Sequence, residues 1–142
     1  MKKEDPTKVL SPQELAELYK TFDYETHTLS VKEFVAAAQQ PNTHIFDLRG
    51  STTYQRGHMQ GAVHLGADVT LEILQQLAPD KNATILVYCT NSFEPTRMMA
   101  LTLTVVPQIY ALGYQNVYLL EEIWKSGLDK KALALLPWEG EK

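Results

Sequence analysis

Cys89, the only cysteine among the 142 residues, is the side chain best suited to covalent chemistry. It directly follows an apolar run, residues 84–88, that is typical of a buried strand, and Pro95 downstream favours the first turn of a helix. A thiol on such a strand-to-helix loop faces free backbone N–H groups and the positive end of a helix, which stabilise a thiolate or a sulfur-bound anion. This placement predicts a nucleophilic cysteine whose sulfur is partly accessible and faces at least two loop N–H groups. A buried structural thiol is the alternative.

The loop after Cys89 supplies the groups expected to hold a substrate. Arg97, eight positions after the cysteine, is a candidate catalytic cation that would help to hold the loop and a bound anion. Glu94 is expected to repel anionic donors, since a nearby carboxylate disfavours both a thiolate and an approaching anion. The residues predicted to contact substrate in this loop are Thr90, Asn91, Ser92, Phe93 and Glu94.

Two charged residues lie at the end of another apolar run, residues 45–48. Arg49 is assigned to substrate binding, because a cation at a strand end can contact an anionic substrate. Asp47 is expected to be structural, capping a turn and pairing with a nearby cation. His58 is likewise expected to be structural and to brace a turn through hydrogen bonds.

The elements that must position these residues follow from periodicity and from helix-start signals. Ser11 and Ser30 each precede a glutamate at capping-box spacing and predict helices over 12–20 and 30–39. Further helices are predicted over 69–77, after Pro95 as far as Gly113, and over 128–136; strands are predicted near 27–29 and over 45–48, 62–65, 84–88 and 116–120. This alternation predicts an α/β fold with a parallel sheet and helices on both faces.

Pro107 lies inside the long helical stretch before Gly113. A proline in a helix interior removes one backbone hydrogen bond and clashes with the preceding turn. We therefore expect a break or kink in this helix near residues 105–106.

Composition sets the broad class of the protein. Hydrophobic content of 44%, charged content of 21% and a net charge of −4 are typical of one globular domain and argue against a nucleic-acid or anionic-membrane surface. One cysteine and scattered histidines predict no disulfide, no metal site and no cofactor. No stretch approaches the roughly 18–20 apolar residues that cross a bilayer. The charged start lacks the apolar segment of a signal peptide, which predicts a cytoplasmic protein, or a periplasmic or secreted one if a signal was removed.

Three segments together resemble a rhodanese domain: Asp47–Arg49 with Tyr54, Gly57–Ala62, and Val87–Cys89 with Arg97 downstream. Residues 112–118 are also similar to the family's stretch before its last strand. The resemblance implies an α/β fold with about five mostly parallel strands, and a cysteine that accepts sulfane sulfur as a persulfide and passes it to a thiophilic acceptor. It divides the chain into an N-terminal helical extension (1–24), a rhodanese-like domain (25–128) and a C-terminal helical tail packed on or beside the domain (129–142).

The resemblance implies a sulfurtransferase, with a small-molecule or protein persulfide as sulfur donor and a monomer or weak homodimer as the assembly. The spacing from Cys89 to Arg97 is longer than in the family pattern, and Glu94 favours a persulfide or neutral donor over thiosulfate. Two alternatives remain open. One is a non-catalytic module that binds a partner or senses redox state through Cys89. The other is a phosphatase-like or arsenate-reducing enzyme that uses the same thiolate.

Overall fold

A computed structural model of the protein describes residues 10–67, 69–93, 100–123 and 134–140. Its strands are β1 (Thr28–Leu29), β2 (Thr43–Asp47), β3 (Gly57–Met59), β4 (Ala62–His64), β5 (Thr84–Tyr88), β6 (Val117–Leu120) and β7 (Trp138–Gly140). Five of them form one parallel sheet in the order β1-β6-β5-β2-β4, and β3 pairs with β7 as a separate antiparallel ribbon. The predicted five-stranded parallel sheet is therefore confirmed.

The helices are α1 (Pro12–Thr21), α2 (Val31–Ala38), α3 (Ser51–Arg56), α4 (Leu71–Leu77), α5 (Thr90–Phe93) and α6 (Leu101–Ala111), with a 3-10 turn at Glu25–His27. Both predicted capping boxes are present, with Ser11 capping α1 and Ser30 capping α2. The short elements α3, β3 and α5 have no counterpart in the sequence prediction. No helix in the described ranges is long and apolar enough to cross a bilayer.

The central strand β5 divides the core into two layers. Because side chains alternate along a strand, Ile85 and Val87 pack with residues of α4 and α6, whereas Leu86 and Tyr88 pack with residues of α2 on the opposite face. All four of these side chains are fully buried. Helices therefore cover both faces of the sheet, as the alternating pattern predicts.

Helix α6 continues through Pro107, so the predicted break near residues 105–106 is wrong, and the kink stays a prediction. Pro107 has no N–H to donate to the carbonyl of Leu103, four residues earlier. The Tyr24 hydroxyl donates to that Leu103 oxygen at 2.7 Å. The Tyr24 side chain thus replaces the hydrogen bond that the proline removes, and the helix continues.

The predicted C-terminal helix over 128–136 lies mostly outside the described residues; within them Ala134 and Leu135 are helical, and Trp138–Gly140 form strand β7. Strand β7 pairs with β3 in a register that sets Glu139 opposite His58 and Trp138 opposite Met59. Gly140 has a φ of +84°, and a Cβ there would collide with the Arg56 backbone. The sequence did not predict strand β7, because the free edge of β3 offers backbone hydrogen bonds that no local pattern reveals.

Candidate active site at Cys89

Cys89 lies at the carboxyl end of the sheet. It directly follows β5, whose neighbours β2 and β6 both run parallel to it. Ligands of open α/β sheets bind outside the carboxyl ends of the strands. The predicted position of the cysteine, at the carboxyl end of a parallel strand, is confirmed.

The Cys89 side chain is buried, with 2% of its surface exposed, so the predicted partly accessible sulfur is wrong for this conformation. It packs in the core layer that contains Leu48 and residues of α6. The sulfur lies 3.9 Å from the hydroxyl oxygen of Thr102, which is itself buried. The reason is strand alternation: the residue after Tyr88 points toward the face that α6 covers.

The turn of α5 is held by the backbone of Cys89. The Cys89 N–H donates to the Ser92 Oγ at 3.2 Å, and the Ser92 N–H donates to the Cys89 carbonyl oxygen at 3.0 Å. At least two loop N–H groups were predicted to face the sulfur, and the N–H of Ser92 has an oxygen partner instead. Ser92 and Asn91 are buried, whereas Thr90 and Phe93 are half-buried. The predicted site residues Glu94 and Arg97 lie outside the described residues.

Arg49 and Asp47 form a buried ion pair. The Arg49 Nη2 lies 2.6 Å from Asp47 Oδ2, and its Nε donates to both carboxylate oxygens at 3.0 Å. The Arg49 backbone N–H donates to Asp47 Oδ1 at 2.8 Å, and Nη2 also donates to the Gly57 carbonyl oxygen. Burial opposes the charge of Arg49, but the hydrogen bond and the charge of Asp47 outweigh it and raise the pKa of the guanidinium. The expected turn cap and cation partner of Asp47 are confirmed.

The guanidinium of Arg49 also lies among three aromatic rings. Its central carbon is 5.4 Å from the ring centroid of Tyr88, 5.9 Å from that of Phe93 and 5.2 Å from that of Trp138. Tyr88 belongs to the core layer on the opposite face of the sheet from Cys89. Nε and Nη2 of Arg49 and the flat faces of its guanidinium therefore have partners inside the fold, and the substrate contact of Arg49 stays a prediction.

Tyr88 and His58 support the same region. The buried Tyr88 hydroxyl accepts a hydrogen bond from the Met59 N–H at 2.9 Å, and burial, with the charge of Asp47, raises the pKa of Tyr88. His58 is stacked on the ring of Tyr54 with a centroid distance of 3.9 Å, and its Nε2 lies 3.3 Å from Glu139. The His58 Nδ1 lies 2.8 Å from the Tyr54 carbonyl oxygen, so His58 makes a hydrogen bond of the predicted kind, although it lies in β3 rather than in a turn.

Two residues of this site, Thr102 and Trp138, were not found from the sequence. Thr102 is one of several threonines near the start of α6, and nothing in its spacing distinguishes it from Thr104. Trp138 follows Pro137 near the end of the chain and gives no sign of its partner strand. Across the described ranges, no group of three or more His, Cys, Asp or Glu side chains is placed to hold a metal ion.

Comparisons with known proteins identify the family that the chain resembles and two of its relatives. The family model of the rhodanese-like domain matches residues 30–129. A thiosulfate sulfurtransferase, GlpE of Tolumonas auensis, is 24% identical over 93 residues, which cover 66% of this chain and 79% of that protein. A second thiosulfate sulfurtransferase, PspE of Escherichia coli, is 39% identical over 46 residues, covering 32% of this chain and 44% of that protein.

Solved structures share the architecture. The Alr3790 protein of Anabaena superposes with a TM-score of 0.56 at 22% identity, covering 79% of this chain and 91% of that one. The thiosulfate sulfurtransferase of Pseudomonas aeruginosa superposes with a TM-score of 0.57 at 22% identity, covering 80% of this chain and 19% of that one. At this identity the likeness shows the fold alone. With the family match over residues 30–129, it establishes that the chain belongs to the rhodanese-like domain family.

Proposed function

We propose that this protein is a sulfurtransferase that carries sulfane sulfur as a persulfide on Cys89. The observation that carries the proposal is the position of Cys89, directly after the central strand of a rhodanese-like domain, where a short helical turn begins. The two relatives named as thiosulfate sulfurtransferases support the same reaction class.

The chemistry requires one thiolate and two nucleophilic displacements. The Cys89 thiolate attacks the terminal sulfur of the donor, the donor's S–S bond breaks, and its electron pair leaves with the donor fragment. A thiophilic acceptor then attacks the outer sulfur of the persulfide and releases the Cys89 thiolate. The Thr102 hydroxyl beside the sulfur can donate a hydrogen bond to that thiolate. With one cysteine in the chain, no second thiol converts the persulfide into an internal disulfide.

The burial of Cys89 sets a condition on this reaction. A sulfur that is 2% exposed cannot be reached by a donor until the residues packed around it move. Glu94 follows the turn Thr90–Phe93 in the sequence and disfavours dianionic donors. We therefore infer that a persulfide donor reacts faster than thiosulfate.

Intact-mass spectrometry tests the proposal. The full chain is incubated with thiosulfate or with a small alkyl persulfide, and the mass is recorded before and after reduction. The expected result is a gain of one sulfur atom that reduction removes and that the Cys89→Ser variant does not show. Transfer of that sulfur to a thiol acceptor completes the evidence. No gain with either donor, on a chain whose thiol is intact, would refute the proposal.

The burial of Cys89 favours a second candidate, a non-catalytic rhodanese-like module that binds a partner. In that case the hydrogen bonds between Cys89 and Ser92 belong to a permanently closed turn. The thiol would then react with alkylating reagents only in denaturant, and no donor would add sulfur under native conditions. A thiol that is alkylated slowly in the folded protein and that accepts sulfur would exclude this candidate.

A further inference from the structure

Thr102 is a polar side chain in direct contact with the sulfur of Cys89. It is the second residue of α6, only 3% of its surface is exposed, and its hydroxyl oxygen lies 3.9 Å from the sulfur. Within the described ranges this is the only hydrogen bond that the Thr102 hydroxyl makes. A buried hydroxyl without a partner is costly, so the thiol is the group that satisfies it.

Thr104, two residues further along α6, is bonded differently. Its hydroxyl donates to the Leu101 carbonyl oxygen at 2.9 Å, which is a hydrogen bond within the helix. Helical threonines commonly bond a backbone carbonyl three or four residues earlier. The Thr102 hydroxyl, by contrast, is directed across to the residue that follows the central strand β5.

The surroundings of this contact make a hydrogen bond to the sulfur important. Cys89 belongs to a core layer whose other buried members are apolar, among them Leu48, Ala100 and Val105. Apolar surroundings disfavour the charged form of a thiol. The contact with Thr102 also brings the sulfur to the first turn of α6, an eleven-residue helix whose positive end favours an anion. A donor at this point stabilises a thiolate that the apolar layer opposes.

A hydroxyl can serve both protonation states of the sulfur. In the structure the thiol donates to the Thr102 oxygen. Once the thiol has lost its proton, the hydroxyl can donate to the thiolate instead, because a hydroxyl is both donor and acceptor and its hydrogen rotates freely about the Cβ–Oγ bond. The hydrogen bond then reverses while both heavy atoms keep their positions. Valine has the shape of threonine and can play neither role, whereas serine can play both.

We propose that Thr102 is a catalytic residue that sets the protonation state of Cys89: its hydroxyl accepts from the resting thiol and donates to the reacting thiolate. The proposal deepens the proposed function and rests on it in that Cys89 is the reacting group. The proton of the thiol passes to solvent, and the thiolate forms a bond to the donor's sulfur as the donor's S–S bond breaks. When an acceptor takes the outer sulfur, the electron pair of the persulfide bond returns to Cys89, and the same hydroxyl donates to it. Thr102 keeps its own proton throughout.

The NMR signal of the Cys89 β-carbon, recorded against pH on the isotopically labelled full chain, tests this role. The chain has one cysteine, so a cysteine label gives one signal, and no reagent has to reach the buried sulfur. In Thr102→Val we expect the midpoint of the pH profile to lie about one pH unit higher than in the wild type, which is about tenfold less thiolate at any pH below the midpoint.

Two variants separate the hydrogen bond from other effects of substitution in α6. Thr102→Ser keeps the hydroxyl and should restore the midpoint of the wild type. Thr104→Val removes a hydroxyl whose bond lies within the same helix, and it should leave the midpoint unchanged. If Thr102→Val does not fold, Thr102→Ala removes the hydroxyl with a smaller side chain.

The rate of sulfur gain from a small alkyl persulfide, followed by intact-mass spectrometry at neutral pH, is the second measurement. Thr102→Val should be about threefold slower than the wild type, because a tenfold loss of thiolate is partly offset by the greater nucleophilicity of a more basic thiolate. Thr102→Ser should react at nearly the rate of the wild type.

Equal midpoints for the wild type and a folded Thr102→Val would overturn the proposal. So would a Thr102→Ser variant that behaves like Thr102→Val, or a shift of equal size in Thr104→Val. Failure of the proposed function gives a different result: no variant gains sulfur, while the midpoint still moves in Thr102→Val. That result would support the hydrogen bond from Thr102 to the thiolate and refute sulfur transfer.

Discussion

The hydroxyl of Tyr24 is expected to hold helix α6 together at Pro107. It donates to the Leu103 carbonyl oxygen at 2.7 Å, the oxygen that would accept from residue 107 if that residue had an N–H. Tyr24→Phe removes this donor and changes little else, because the ring stays in place against Phe22. The Leu103 carbonyl is then left without its replacement partner.

The size of the effect follows from the burial of this contact. An unsatisfied buried polar group costs about 1–3 kcal/mol, and the contact is part-buried, so we expect a loss of about 1–2 kcal/mol in the free energy of unfolding. For 142 residues, at about 2.1 cal/mol/K per residue, the unfolding entropy is about 0.3 kcal/mol/K, and the melting temperature should fall by about 3–7 °C. Burial raises the pKa of Tyr24 above its ordinary value of 10.0, and the electrostatic interaction with Tyr19 raises it further. The contribution of this hydroxyl is therefore fully present below pH 10 and is lost as the pH rises through the folded-state pKa.

A double-mutant cycle with Pro107→Ala, measured by urea unfolding at pH 7, tests the reasoning. The alanine restores an N–H that can donate to Leu103, so Tyr24→Phe should lose about 1 kcal/mol less in that background. Tyr54→Phe is the matched control. Its hydroxyl donates to the Ala62 carbonyl oxygen at 2.6 Å, far in sequence from the proline, and its cost should be equal in both backgrounds. An equal cost of Tyr24→Phe in the two backgrounds would refute the role assigned to the hydroxyl.

Three further substitutions test the rest of the framework by urea unfolding. Arg49→Lys keeps the charge but loses the bidentate pairing and the ring contacts, and it should lower stability by about 2–4 kcal/mol; a loss below 1 kcal/mol would contradict the structural role. Tyr88→Phe leaves the Met59 N–H without its acceptor and should lower stability by about 1–3 kcal/mol, and an unchanged midpoint would show that another acceptor replaces it. The hydrogen bond from the Asn82 N–H lowers the pKa of Asp80 from its ordinary value of 3.8. The stability that the Asp80 carboxylate contributes is therefore present above that pH and is lost as the pH falls through the folded-state pKa. Asp80→Asn should be less stable than the wild type at about pH 7, and the two stabilities should converge near about pH 2.

Elements that depend on residues close together in the sequence could be predicted from the sequence. The strand over 84–88 was predicted to the residue, because a continuous β-branched and aromatic run suits the buried middle of a parallel sheet. The helices after Ser11 and Ser30 were predicted because a capping box is closed within four residues. The position of Cys89 at the carboxyl end of this strand follows from the same kind of signal. Local backbone preferences and short-range hydrogen bonds are sufficient for these features.

The environment of the candidate site was decided by tertiary contacts. Strand alternation places the Cys89 side chain on one face of the sheet. Only the packing of α6 on that face determines that the sulfur is buried beside Thr102. The Arg49 guanidinium lies against the Trp138 ring because strand β7, far along the chain, pairs with β3.

A residue distant in sequence also explains why helix α6 is not broken. Pro107 is tolerated in α6 because the Tyr24 hydroxyl, 79 positions before Leu103, lies against the helix in the folded chain. A local pattern states what the backbone of a segment prefers, and it predicted a break there. Partners brought together from distant parts of the sequence decide whether a lost hydrogen bond is replaced, whether a cation is neutralised and whether a thiol is covered, and those partners are determined only by the tertiary structure.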